Sequence, residues 1–303
     1  MYQTKREKRF TAKSYIVLLL SVTLMASLAL TAIGCSETTE PEPGNTEASS
    51  SGVASTTATP VELQIFAANS LEKALPEVQA LYTELNPNVT FSDTQFKGSG
   101  DLVTELQGGA PADILITAST GTMETAIENN NIDENTKVSM FQNDLIVVKQ
   151  AGSDIVINAL DSVSSDAVAK IAIGDADAVP AGAYANQSLF TINLYSDESG
   201  KGGTYEEAFG GKVIIQSSVG NVAKTVSTGD AQIGFVYTSD LYRYDGIEQA
   251  FVVPADTHKN IVYPGAVVAG SNSAAEAAAF LDFCLTNPKA LKIWAEFGFE
   301  VAS

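Results

Sequence analysis

The sequence predicts an α/β protein of about two domains built on parallel sheets, and three observations carry that expectation. The chain has 303 residues, enough for about two domains of ordinary size. Its composition, 45% hydrophobic and 17% charged, is that of a globular protein. From Val61 onward, short apolar runs alternate with segments of helical periodicity, and strands interleaved with helices build parallel sheets.

Residues 62–67 alternate Leu63, Ile65 and Ala67 and read as a strand. Leu71, Leu75, Val78, Leu81 and Leu85 recur at helical spacing, which predicts an amphipathic helix over 71–85. Residues 89–96 are strand-like, 101–107 helical, and 113–118 a buried strand. Further strands are expected at 145–148, 170–174 and 232–237, with helices near 183–190 and 219–228. A strand at 262–269 precedes two closing helices, 274–285 and 288–297. No internal repeat or second linker appears, so two lobes must be joined by crossing strands. The expected lobes are 61–143 together with 257–303, and 144–256.

Residues 1–35 read as an export leader. Lys5, Arg6, Lys8, Arg9 and Lys13 form a positive region, 15–30 an apolar one, and Ala32-Ile33-Gly34 sets small residues before Cys35. The arrangement resembles a bacterial lipobox, with Ala32 where Leu is usual. It implies cleavage before Cys35, lipidation of its sulfur, and attachment to the outer face of the cell membrane or in the periplasm. Ordinary secretory cleavage is the alternative; the apolar stretch is short for a transmembrane anchor. Residues 36–60, almost wholly Ser, Thr, Glu, Pro, Gly and Ala, cannot bury enough apolar surface to fold. They read as a disordered tether with a reach of about 25–30 Å.

The leader holds five of the 17 basic residues and one of the 36 acidic ones, which leaves 12 and 35, a net charge of −23. Such a field repels nucleic acid, which excludes it as a partner. Arg243 is the sole arginine beyond the leader, although sites that grip carboxylates or phosphates usually employ arginine forks. With Cys35 processed, Cys284 is left without a disulfide partner and reads as a small core residue.

The informative chemistry lies in the turns that open helices: Ala67-Ala68-Asn69-Ser70-Leu71, Lys97-Gly98-Ser99-Gly100-Asp101, Val179-Pro180-Ala181-Gly182-Ala183 and Ser217-Ser218-Val219-Gly220. A helix N-terminus offers free N–H groups and a positive dipole end, which favour an anion. One serine there is ordinary capping. Four such turns, following strands, coincide with the region where open α/β sheets bind ligands.

Phe66-Ala-Ala-Asn-Ser-Leu71, Gly98-Ser-Gly100, Gly109-Ala-Pro-Ala-Asp113 and Val179-Pro-Ala-Gly-Ala-Tyr184 are followed by Gly234-Phe-Val-Tyr-Thr-Ser-Asp240, Tyr263-Pro-Gly-Ala-Val-Val268 and Phe297-Gly-Phe299. In this order and spacing the set resembles the molybdate-binding proteins of ABC transporters, from about residue 61 to the end. The resemblance implies a type II periplasmic-binding-protein-like fold, two Rossmann-like lobes joined by crossing strands around a cleft. It implies capture of molybdate or tungstate by neutral hydrogen-bond donors and delivery to a membrane permease and its ATPase. Carried across, the donors are the hydroxyls of Ser70 and Ser99, the backbone N–H groups of Ala181 and Val219, and the phenol of Tyr237. Molybdenum would thus be held, as molybdate, through these residues. Asn69 stands where Ala or Ser is common and is an additional candidate. The plain alternatives are caps for the serines, first-turn residues for Ala181 and Val219, and a half-buried strand aromatic for Tyr237. The turn around Val219 departs most from the family, lacking its usual flanking residues. A monomer without cofactor or catalysis is expected.

Chemistry favours the same ligand. Molybdate and tungstate are fully deprotonated dianions at neutral pH and suit a site made only of donors. Phosphate retains a proton and calls for an acceptor; sulfate differs from molybdate in size. Tyr242-Arg243-Tyr244 is similar to the tyrosines of ferric-ion binders, so iron capture is a competing expectation. His258 is the sole histidine, and no nucleophile–base pair or Gly-Lys-Ser phosphate loop appears, so an enzyme on the same fold is the weaker reading. A surface adhesin is favoured only by the tether.

Overall fold

The computed structural model describes residues 59–302; the leader with Cys35, and the tether as far as residue 58, lie outside the described residues. The chain opens with β1 (Val61–Leu63), β2 (Ile65–Ala68), α1 (Ala74–Leu85), β3 (Val89–Phe91), β4 (Gln95–Lys97), α2 (Ser99–Gln107), β5 (Ile114–Ile116), α3 (Thr120–Glu128) and β6 (Val138–Gln142). It continues through β7 (Leu145–Gln150), β8 (Ile171–Gly174), α4 (Pro180–Thr191), α5 (Glu207–Gly210), β9 (Val213–Gln216), α6 (Val219–Ser227), β10 (Ile233–Tyr237) and β11 (Ile247–Val252). It closes with β12 (Val262–Val267), α7 (Ala274–Thr286), α8 (Pro288–Glu296) and β13 (Glu300–Val301).

Two large sheets result. One has six strands in the order β13-β6-β12-β5-β2-β4, the other five in the order β11-β7-β10-β8-β9, and β1 pairs with β3 beside them. The chain passes between the large sheets twice, from β6 to β7 and from β11 to β12.

The expectation of parallel sheets needs correction, because both are mixed. β2 runs parallel to β4 and β5, and β8 to β9 and β10. β12 is antiparallel to β5 and β6, and β7 to β10 and β11. Parallel neighbours need a long crossover, usually a helix. β7 and β12 instead arrive directly from the opposite sheet and enter running the other way.

Helices cover the sheets, which is why the central strands read as unbroken apolar runs. In the first lobe, Leu102, Val103 and Leu106 of α2 and Met123 and Ala126 of α3 pack on Phe66, Leu115 and Ala266. α1, α7 and α8 pack on one another at the same sheet. In the second lobe, Val222, Ala223 and Val226 of α6 pack on Ile146, Val148, Ala172 and Val236, while α4 lies against β7, β8 and β10. This packing leaves the turns after β2, β4, β8 and β9, and the end of β10, to form the site.

Candidate ligand-binding cleft

Asn69, Ser70 and Ser99 from the first lobe and Val219 and Tyr237 from the second line one small, nearly closed-up cavity of about 10 Å³. Organic ligands usually occupy about 300–1,000 Å³, and this space is far too small for one; as it stands it has room for about one water molecule. Ala181 does not line it; Val179 and Pro180, immediately before it, do. The lobes touch across the cavity, where Gly100 N–H donates to the Ala178 carbonyl at 3.0 Å.

Neither first-lobe serine is a cap. Asn69–Leu71 winds as a short 3-10 turn, so α1 starts three residues later than periodicity predicted. The hydroxyl of Ser70, buried, donates to the Tyr263 phenol oxygen at 3.0 Å. Ser99 opens α2 after Gly98, with no side-chain cap. Its Oγ accepts from Ala118 N–H at 3.0 Å, which leaves its own proton available for donation.

In the second lobe, Ser218 caps α6 by accepting from Asn221 N–H at 3.1 Å. Val219 is the first residue of that helix, and its N–H has no intrahelical acceptor. Ala181 follows Pro180 in the first turn of α4 and is in the same position chemically. That turn sits directly on β8. A Cβ on Gly182 would lie 2.0 Å from the Gly174 carbonyl oxygen, so only glycine admits the approach.

Tyr237 ends β10 at 1% exposure, and its hydroxyl is buried without any partner among the described residues. Buried polar groups are nearly always paired, so an orphan of this kind requires an explanation. Burial, and then the neighbouring Tyr263, raise its pKa, so the group remains a neutral O–H donor.

No carboxylate lines the cavity. Lys97 contributes to its wall, but its ammonium pairs with Glu105 at 2.5 Å. Asn69 lines the cavity, yet its amide faces the other lobe: Oδ1 accepts from Gly220 N–H at 3.1 Å and from Arg243 Nη2 at 3.3 Å. Sequence reasoning gave no role to Tyr263, the partner of Ser70. Its place in the Tyr263-Pro-Gly-Ala-Val-Val268 motif was the available signal.

The tyrosines flanking Arg243 do not converge on a metal. Tyr242 is 57% exposed, and the Tyr244 hydroxyl accepts from Arg243 Nη2 at 3.0 Å. No group of three or more His, Cys, Asp or Glu poised for a metal occurs among the described residues. His258 lies in a different cleft, with Asn143 and Asp144, and its Nδ1 is 2.8 Å from the Lys259 carbonyl oxygen. Cys284 is fully buried, and burial raises its thiol pKa far above the ordinary range.

Two α/β lobes in contact across a donor-lined cleft define a two-lobed binding protein. The chain belongs to the bacterial extracellular solute-binding protein family, whose pattern it matches over residues 63–300. It is 30% identical over 245 residues to the molybdate-binding protein ModA of Escherichia coli (strain K12), covering 79% of this chain and 89% of that relative. It is 28% identical over 246 residues to ModA of Haemophilus influenzae, covering 79% and 90%. The periplasmic molybdate-binding protein of Azotobacter vinelandii has the same fold, with a TM-score of 0.66 over 80% of this chain and 100% of that one, at 18% identity. The family is one of solute binders rather than enzymes. No helix among the described residues is long and apolar enough to cross a membrane.

Proposed function

We propose that this chain is the extracytoplasmic substrate-binding component of an ABC importer, and that it captures molybdate or tungstate between its lobes for a membrane permease and its ATPase. The donors are the hydroxyls of Ser70 and Ser99, the N–H groups of Ala181 and Val219, and the phenol of Tyr237; Ser70 turns its single proton from the Tyr263 oxygen to the anion, and the Tyr263 O–H then donates to Ser70 Oγ. The observation that carries this reading is the partnerless buried hydroxyl of Tyr237 in a cavity without a carboxylate. A fully deprotonated dianion offers acceptors to every donor and demands none in return. The ModA relatives point the same way.

Each charge-assisted hydrogen bond contributes about 1.5–3 kcal/mol, so five reach micromolar affinity or better after desolvation and ordering costs. Residues 61–143 with 257–303 form one lobe and 144–256 the other. Cys35 carries the lipid anchor, 36–60 the tether, and the protein works as a monomer.

Titration calorimetry with four anions tests the reading. Molybdate and tungstate should bind tightly, sulfate more weakly, and phosphate not at all. Equal affinity for phosphate, or heat from none of the four, would overturn it.

A further inference from the structure

We infer that Arg243 is a positioning residue that clamps the cleft shut over its ligand, with Asn69 and Glu72 as its counterparts on the opposite lobe; the inference rests on the oxyanion reading of this cleft. The Arg243 side chain is 1% exposed, which is unusual for the most strongly basic side chain in proteins. It touches both lobes. Within its own lobe, Nη1 donates to Asp240, which is wholly buried, and its Cζ lies 4.8 Å from the Tyr244 ring centroid. Across the cleft, Nη2 donates to Glu72 Oε2 at 3.0 Å and Asn69 Oδ1 at 3.3 Å.

Two further bonds tie this bridge to the donor set. The second oxygen of Asp240 accepts from Tyr237 N–H at 2.9 Å, so the carboxylate that holds Arg243 also fixes the backbone of Tyr237. Asn69 Oδ1 also accepts from Gly220 N–H at 3.1 Å, one residue beyond Val219. A Cβ on Gly220 would sit 2.3 Å from the Tyr244 hydroxyl and 2.8 Å from Asn69 Oδ1, so the contact leaves no room for a side chain. A continuous path therefore runs from Glu72 and Asn69 through Arg243 and Asp240 to Tyr237.

Charge decides which step the clamp acts on. One arginine between two carboxylates leaves the cluster with a net negative charge, so it adds no attraction for an approaching dianion. Its contacts with Asn69 and Glu72 exist only while the lobes meet, and breaking them is part of letting the ligand out. The clamp therefore slows release and leaves capture unchanged. This is where a positioning role separates from a merely structural one.

The test measures association and dissociation of radiolabelled molybdate on the full-length protein, with an excess of unlabelled molybdate as the chase. Glu72→Gln and Glu72→Ala alter a first-lobe residue that does not line the cavity and can be changed without unpairing Asp240. Each should speed release by about tenfold and leave the association rate within about twofold of the parent. Arg243→Lys keeps the charge but loses the fork and should also release faster. Unchanged release in both first-lobe variants would overturn the clamp, as would a loss confined to association. If the parent protein fails to retain molybdate, the oxyanion reading falls first and the clamp with it.

Discussion

Removing the single hydroxyl of Tyr237 separates the needs of the ligand from those of the fold. Tyr237→Phe keeps the ring, which packs edge-on to Tyr263 with centroids 5.8 Å apart. The lost oxygen has no partner among the described residues, so no neighbour is orphaned by the change. A buried unpaired hydroxyl costs about 1–3 kcal/mol, and the ligand-free protein should become more stable by up to that amount. For a domain of this size each kcal/mol corresponds to about 2–4 °C in Tm. Binding should move the other way, because a buried oxygen of the dianion loses its donor. The loss of about 1.5–3 kcal/mol is roughly a ten- to hundredfold weaker Kd. Thermal melts without ligand and calorimetric titration with molybdate read the two effects separately. Unchanged affinity, or a ligand-free Tm lowered by several degrees, would refute the reasoning.

Ser70→Ala and Ser99→Ala should each weaken molybdate binding about ten- to hundredfold by calorimetry, with the Ser99 variant also leaving Ala118 N–H without its acceptor. Lys97→Ala should change affinity by well under about 1 kcal/mol, since its ammonium is screened and already paired with Glu105. Molybdate affinity should be flat between about pH 6 and 9, because none of the proposed donors titrates there. Stability should fall as pH rises past about 10: burial raises the phenols of Tyr237 and Tyr263, so the folded chain keeps protons that the unfolded chain has lost, and Tyr237→Phe should shallow that slope in chemical denaturation. Small-angle scattering should show a more compact particle with molybdate than without it.

The turns that make the site are local, and that is why they could be read from sequence. Ser99 and Ser218 each sit where an apolar strand gives way to a helical pattern, within a few residues that carry their own capping and dipole logic. What those residues do with their side chains was not legible. Ser70 reads as an N-cap, yet its hydroxyl turns to Tyr263, 193 residues away. Asn69 reads as a ligand candidate, yet its amide bonds to Gly220 and Arg243, 151 and 174 residues away. Such pairings depend on how the lobes meet, which periodicity does not encode. The mixed sheets escaped for a related reason, since helical and strand patterns reveal elements but not the direction from which β7 and β12 enter. The edge strands β11 and β13 were missed because they carry little buried apolar surface: β11 has one buried residue and a bulge, and β13 has two exposed residues.

The central claim is that a dianion is held by neutral donors alone, in a protein whose net charge beyond the leader is −23. A crystal structure of the molybdate complex, with data collected at the molybdenum absorption edge, tests it most directly. The account predicts one molybdenum peak in the cleft, its oxygens within hydrogen-bond distance of the Ser70 and Ser99 hydroxyls, the Ala181 and Val219 N–H groups and the Tyr237 phenol. A lysine or Arg243 in contact with the anion, or a peak outside the cleft, would contradict it.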